Sequence, residues 1–396
     1  MNHSLQLQIL HLSLIPNISL STQKKVYTYA IERNKNVYEL MQSDFLACGI
    51  PLKTVSMLID GLKDTRLLER ELAHIERNAL SWTTLLDPEY PALLFHIHTP
   101  PLVLYWKGVP VWNDVPTLAV VGSRKATDYG KRAIHELLIP CIKSGILLVS
   151  GGALGIDSLA HQAALNHGGK TVVVLGTGLS CRYPWQNKDL FDAIVFSGGA
   201  LVTCFPFETQ GAAWQFPLRN SIIAGMSRGC FVVQAADKSG SLITADYALK
   251  EGRNVYALPG AFDDPMSAGC NRLIAQGASV VLSADDIMQD YGIKIEHTNN
   301  QNNQKEEKYE LQESLFTKTV LAGVKKVAKK LGLQTKEPVQ EVVQEGILRF
   351  CNEPISLEKL SELTKKHEDE LMQELFMLQL EGKVEQDFAG LWSIKK

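Results

Sequence analysis

Short, nearly continuous apolar runs dominate the middle of the chain, at Thr117–Val121, Ile146–Val149, Thr171–Leu175, Cys230–Gln234, Asn254–Leu258 and Ser279–Leu282. Each is four or five residues long. Most are bounded by glycine or serine, as expected of strands buried on both faces. Helix-like segments separate them at Tyr129–Lys143, Ile156–His167, Asn187–Phe196 and Leu242–Glu251. Strand–helix alternation of this kind predicts an α/β fold, a Rossmann-like doubly wound parallel sheet over residues 117–292.

The flanks carry other patterns. Residues 1–80 are rich in helix formers: Leu5, Leu7, Ile9, Leu10, Leu12 and Leu14 open an apolar pattern, and Val26, Tyr29, Ala30 and Ile31 carry a helical one. This predicts a small N-terminal helical domain. Residues 81–116, with Asp87-Pro88-Glu89-Tyr90-Pro91 and Pro100-Pro101, read as a connector. Residues 293–339 include His297-Thr298-Asn299-Asn300-Gln301-Asn302-Asn303-Gln304, too polar to bury a core, and read as a linker. Residues 340–396 predict a winged-helix-like domain. Its helices are Glu341–Cys351, one capped by Ser356 that runs to Thr364, and Glu368–Leu380; a hairpin of 382–386 and 391–394 turns at Ala389-Gly390.

Composition narrows the function classes. With 45% hydrophobic and 21% charged residues the 396-residue chain is ordinary for a globular protein. No apolar run reaches the ~18–20 residues that span a bilayer, and residues 1–20 lack a basic, signal-like start. Seven cysteines with no Cys-x-x-Cys pair offer neither a zinc site nor a disulfide framework. A cytoplasmic location with no metal and no cofactor is the expectation. The net charge of −3 means that any nucleic acid is held by a local patch and not by the bulk field.

Ligands of open parallel sheets bind at the carboxyl ends of the strands. There the chain places Gly122-Ser123-Arg124-Lys125, Ser150-Gly151-Gly152-Ala153-Leu154-Gly155-Ile156-Asp157, Gly176-Thr177-Gly178 leading to Tyr183-Pro184-Trp185, and Ser239-Gly240-Ser241. Glycines admit an anion close to the backbone, and helix N-termini aim N–H groups at it. Any one such loop is commonly a plain tight turn; four together predict a phosphate-binding edge. Phe216-Pro217-Leu218-Arg219-Asn220 adds an arginine beside an aromatic, which suits backbone contact with a base stacked nearby, or an ordinary loop before a helix. Neither the dinucleotide nor the P-loop fingerprint is met: Gly169-Lys170-Thr171 has Ala164 where the first glycine belongs. Asp157 and His161, four apart, share a helical face and make either an acid–base pair or, more commonly, a capping aspartate and a packed histidine.

An ordered set of motifs resembles the DprA/Smf family. It runs from Tyr90-Pro91, through Pro100–Gly108, Val121-Gly122-Ser123-Arg124, Gly155–His161, Tyr183-Pro184, Phe216–Asn220 and Ser239-Gly240-Ser241, to Pro259-Gly260, Gly269–Ile274 and Gly277-Ala278. The resemblance implies a non-catalytic protein that binds and protects single-stranded DNA in natural transformation and delivers it to the RecA recombinase. It also implies dimerisation through the Rossmann-like domain. By position it assigns Gly122, Ser123, Arg124, Gly151, Gly152, Arg219, Asn220, Ser239 and Gly240 to the DNA pocket; Phe216, beside Arg219, and Trp185, in place of a basic residue of relatives, are read from this sequence as base-stacking surfaces. Leu273, Ile274, Val280, Val281 and Leu282, in the last helix–strand unit, are the expected homodimer interface or, equally, internal core.

Thr203-Cys204, Arg219-Asn220-Ser221 and Val233-Gln234-Ala235 stand where the family usually has Ser-Glu, Arg-Asn-Arg and Val-Glu-Ala, which suggests a charge network replaced as a unit. Trp185 stands where relatives often carry a base. The rival readings are a nucleotide-binding phosphoribohydrolase, which would need a catalytic carboxylate near the glycines, and an interaction protein with a vestigial pocket. The third helix of the winged-helix-like domain carries Glu368, Asp369, Glu370 and Glu374, which argues that this domain does not grip duplex DNA.

Overall fold

The computed structural model describes residues 4–293 and, nearer the C-terminus, 350, 355–364, 371, 375, 378, 384–386 and 391–394. The chain divides into two compact units, Met1–Glu296 and His297–Lys396.

Five helices open the first unit: α1 Leu5–Leu14, α2 Leu20–Glu32, α3 Gln42–Ala47, α4 Leu52–Lys63 and α5 Thr65–Arg77. Ser19 caps α2 and Asp64 caps α5, each side chain accepting a backbone N–H of the first turn. Their interior, with Ile9, Phe45 and Leu58 fully buried, is continuous with Tyr105, Val173, Phe191 and Leu201 of the sheet layer. The change near residue 80 is therefore one of secondary structure; the apolar core runs across it.

The segment expected to be a connector contributes two strands, β1 Ser81–Thr84 and β2 Val103–Gly108, around the short helix α6 Ala92–Phe95. Its prolines delimit the strands without interrupting them, and Val103-Leu104-Tyr105-Trp106 is buried throughout. The remaining order is β3 Thr117–Val121, α7 Asp128–Ala133, α8 Ile139–Lys143, β4 Leu147–Ser150, α9 Ile156–Asn166, β5 Thr171–Val174, α10 Lys188–Phe196, β6 Ala200–Thr203, α11 Gln215–Gly225, β7 Gly229–Val232, α12 Ser241–Lys250, β8 Asn254–Ala257, α13 Ala268–Ala275, β9 Ser279–Val280 and α14 Asp285–Met288. A π turn at Ile134–Leu138 joins α7 to α8. Strand β6, a four-residue stretch after Gly198-Gly199, was not among the expected strands.

Strands β1–β9 form one sheet in the order β1-β2-β6-β5-β4-β3-β7-β8-β9. The seven from β6 to β9 in that order are parallel, and β1 and β2 add an antiparallel margin. Helices cover both faces: Leu118 and Val120 belong to one apolar cluster, Ala119 and Val121 to the other. The chain winds outward from β3 to β6, then returns to the other side of β3 with β7. The switch point thus lies between β3 and β7, with their carboxyl ends side by side.

Strand β9 is a sheet edge, yet the expected dimer residues divide. Leu273 is 7% exposed and packs inward, Val281 is fully buried in the opposite cluster, and Ile274 is half-buried. Val280 and Leu282 are exposed. Period-two alternation at the end of the strand turns Val281 into the core between them, so Leu273 and Val281 are core residues.

In the second unit, α15 Leu357–Thr364 begins where Ser356 Oγ accepts the Lys359 N–H at 3.3 Å. Strands β10 Val384–Gln386 and β11 Trp392–Ile394 pair antiparallel, and Ile355 bridges to Trp392. Leu360, Leu371, Leu375, Leu378, Val384 and Trp392 form its buried cluster. The linker, most of the first predicted helix, the acidic residues 368–370 and 374, and the turn at 389–390 lie outside the described residues.

Candidate nucleic-acid interface

The loops after β3, β4, β5, β6, β7 and β8 all open on the carboxyl edge of the sheet. Gly155 makes the first closure possible. Its φ is +83°, and a Cβ there would stand 2.3 Å from the Ser123 carbonyl oxygen. The Ile156 N–H donates to that same carbonyl at 3.1 Å. The β3 loop is thereby laid over the start of α9, with Arg124 and Lys125 exposed above it.

Beneath the glycine loop lies Arg219, which the sequence reading put on a loop. It sits on helix α11 and is 7% exposed. Pro217 falls in the first turn of that helix, where a missing N–H costs nothing. One guanidinium nitrogen donates to Gly151 O at 2.5 Å and to Val174 O at 2.6 Å. Nε donates to Asn220 Oδ1 at 3.1 Å, and Asn220 Nδ2 reaches Gly240 O at 3.4 Å. Arg219 and Asn220 therefore tie the β4, β5 and β7 ends together from below. Burial pushes the guanidinium down to about 10, still charged at neutral pH; Asp157 opposes the shift and Arg124 adds to it.

Asp157 is a loop pin. Its Oδ2 accepts the N–H of Gly151 at 3.1 Å and of Ala153 at 3.3 Å. Burial raises its pKa, against the pull of Arg219 and of its N–H donors. His161 is fully buried. Thr171 Oγ1 donates to Leu148 O at 2.8 Å and so accepts from His161 Nδ1–H at 2.7 Å, which leaves Nε2 bare and without a partner among the described residues. Burial first, and the Arg219 charge second, push His161 down to about 3. A neutral, enclosed imidazole and a carboxylate committed to two amides match the packed-histidine and capping-aspartate alternative.

Aromatic side chains rim the edge. Asn187 Nδ2 donates to Gly152 O and Ser158 Oγ, both at 2.8 Å, holding the turn that presents Trp185, 44% exposed. Phe216 is half-buried, its ring edge-on to Tyr183 at 5.9 Å and 5.7 Å from the Arg219 guanidinium carbon. It packs under the edge more than it faces out. Ser239 Oγ and Ser241 Oγ lie 2.7 Å apart at the start of α12. Two further aromatics escaped the sequence reading: Trp214, 64% exposed at the start of α11, and Phe262, 95% exposed on the β8 loop. Their signal was a large aromatic isolated among small or acidic residues, in Gly211-Ala212-Ala213-Trp214 and Gly260-Ala261-Phe262-Asp263.

Among the described residues no hydrogen bond joins the three substituted positions to one another. Gln234 accepts the Thr127 N–H at 3.0 Å and donates to Thr127 Oγ1 at 2.8 Å; Ser221 donates to Leu218 O at 2.7 Å. Burial raises the Cys204 thiol to about 12 beside an apolar cluster. Gln234 and Ser221 are thus satisfied by neighbouring groups. Among the described residues no group of acidic, His and Cys side chains is arranged to hold a metal, and no helix is long and apolar enough to cross a membrane.

The profile of the DNA recombination-mediator protein A family matches residues 81–292. The chain is 36% identical to "Protein Smf" of Synechocystis over 290 residues, covering 69% of this chain and 72% of that protein. It is 40% identical to "DNA processing protein DprA" of Streptococcus pneumoniae over 228 residues, 57% of this chain and 80% of that one. The X-ray structure of DNA processing protein A from Streptococcus pneumoniae superposes with a TM-score of 0.65 at 33% identity, covering 73% of this chain and 99% of that chain.

Proposed function

The chain belongs to the DNA recombination-mediator protein A family, and from that premise we propose that it is a cytoplasmic, non-catalytic protein that holds single-stranded DNA along the carboxyl edge of its sheet. The observation that carries this reading is the pairing of two features on one edge. Arg124 and Lys125 stand exposed over backbone loops with the Arg219 charge beneath them, and Trp185, Trp214 and Phe262 stand exposed around them. Cations track a phosphate backbone, and aromatic faces stack unpaired bases whose faces a duplex hides. The family resemblance supports the wider role: protection of the strand in natural transformation and its delivery to the RecA recombinase.

The phosphoribohydrolase reading is disfavoured by the engagement of Asp157, the acid nearest the glycines, with two loop amides. A homodimer across the β9 edge fits the exposed Val280 and Leu282. The second unit we read as a winged-helix-like module for a protein partner, since its third helix is acidic by sequence.

An anisotropy titration with a labelled oligo-dT, run beside a duplex of the same length and nucleoside monophosphates, tests the reading. Marked preference for the single strand is expected. Equal affinity for single strand and duplex refutes the stacking mechanism, and binding confined to the monophosphates returns the small-nucleotide reading. Loading of RecA onto a protected strand tests the delivery step.

A further inference from the structure

The loop after β6, residues 204–214, ends at Trp214 and is held from two sides. On one side Thr203 Oγ1 donates to Thr177 O at 2.8 Å and accepts the Phe205 N–H at 3.1 Å, while the Gly178 N–H donates to Thr209 O at 2.8 Å. Gly178 has to lack a side chain, because a Cβ would stand 2.2 Å from the carbonyl oxygens of Pro206 and Phe207. On the other side the hold comes from α5, in the N-terminal helical layer. Glu71, 5% exposed, accepts the Phe207 N–H at 2.8 Å. The His74 ring stacks on Phe207 with centroids 5.0 Å apart at 30°. Arg70 pairs with Glu208, whose Oε2 also lies 3.4 Å from His74 Nε2. Phe205, 6% exposed, then meets Trp214 edge-on at 5.9 Å.

A buried carboxylate spent on one amide of a distant loop is costly for a helix that has only to pack. Here it fixes the first half of the loop whose far end, at the start of α11, carries an exposed indole. We propose that Glu71, assisted by His74, is a positioning residue through which the N-terminal helices set the Trp214 stacking surface for a base of the bound strand. The inference rests on the single-strand reading of the edge.

The test is a double-mutant cycle on the full chain, read by oligo-dT anisotropy and by amide hydrogen exchange at Phe207. Trp214→Ala is expected to weaken binding about tenfold in the native background, within the range for loss of one stacked base. In Glu71→Ala the same substitution is expected to cost under about threefold, since the indole is no longer held. Phe207 exchange should speed up in Glu71→Ala and return to native protection in Glu71→Gln, whose Oε1 still accepts the amide. His74→Ala serves the same cycle if Glu71→Ala fails to fold. An equal cost of Trp214→Ala in both backgrounds, no cost in the native chain, or unchanged exchange at Phe207 overturns the proposal while leaving DNA binding intact. Absence of oligonucleotide binding by the native chain instead overturns the single-strand reading, and the positioning role with it.

Discussion

A Cβ on Gly151 would lie 2.5 Å from the nearer guanidinium nitrogen of Arg219, so the glycine loop and the buried arginine can share this space only because position 151 carries no side chain. The arginine in turn satisfies the Gly151 and Val174 carbonyls. A positive charge is thereby fixed beneath a backbone cradle without being spent on a carboxylate in contact with it. Among the described residues Arg219 makes no ion pair within 4 Å, and Asp157 acts on it only across a longer distance.

Gly151→Ala should therefore displace the guanidinium and destabilise the fold by ~1–3 kcal/mol, the usual cost of overpacking. Arg219→Ala should cost a similar ~1–3 kcal/mol or more by stranding two buried carbonyls. Both should lower the thermal midpoint as well as the affinity for single strands. Loss of affinity at unchanged stability in Arg219→Ala would assign the arginine to direct phosphate contact instead.

Arg124 and Lys125 are exposed, and replacing them should spare stability. Each alanine substitution is expected to weaken binding alike across sequences and to reduce the slope of log affinity against log salt by ~0.7. Titrations at several salt concentrations measure this. An unchanged slope in the double variant removes the phosphate assignment from this loop.

His161 gives the fold a pH dependence of defined sign. Its pKa is about 3 in the folded state, against ~6.5 in the unfolded chain. Below ~6.5 the unfolded chain takes up a proton that the folded one does not. Stability should fall as pH drops from there toward 3, by up to ~1.4 kcal/mol per pH unit from this group. Comparing urea midpoints of the native chain and His161→Gln between pH 7 and 5 isolates it: the variant should show the shallower decline. Parallel declines would mean that the imidazole is solvated.

Leu282→Asp, at a 74% exposed position beside the β9 edge, should leave the monomer fold intact and weaken self-association. Light scattering at tens of micromolar reads the change. A native chain that is monomeric there removes the dimer.

Removal of residues 340–396 should leave single-strand affinity within about threefold of the full chain, because the proposed binding edge lies wholly within the first unit and the removed part carries an acidic helix by sequence. Circular dichroism checks that the core is still folded. A large loss of affinity in a folded truncation would give the second unit a direct share in the strand.

The sequence by itself determined six of the seven parallel strands, missing β6, and the edge where ligand loops gather. Apolar runs such as Thr117–Val121 and Thr171–Val174 and the glycines after them are local signals, set by strand burial and tight βα turns. Gly122, Gly151, Gly152, Ser239 and Gly240 were placed on that edge for this reason. Only the tertiary structure decided which charge is outside and which is beneath. Arg124 and Arg219 look alike in sequence; one stands in solvent, the other fills the space that Gly151 vacates 68 residues away. Likewise β1 and β2 exist as strands because β6 offers an antiparallel edge to Tyr105–Gly108, a partner that no local pattern in residues 81–116 announces. The link from Glu71 to the Phe207 amide spans 136 residues and is invisible until the helical layer is packed. Periodicity records which face of an element is buried; what it is buried against depends on chain closure over long separations, where a single carboxylate, glycine or proline can be read correctly only beside its partner.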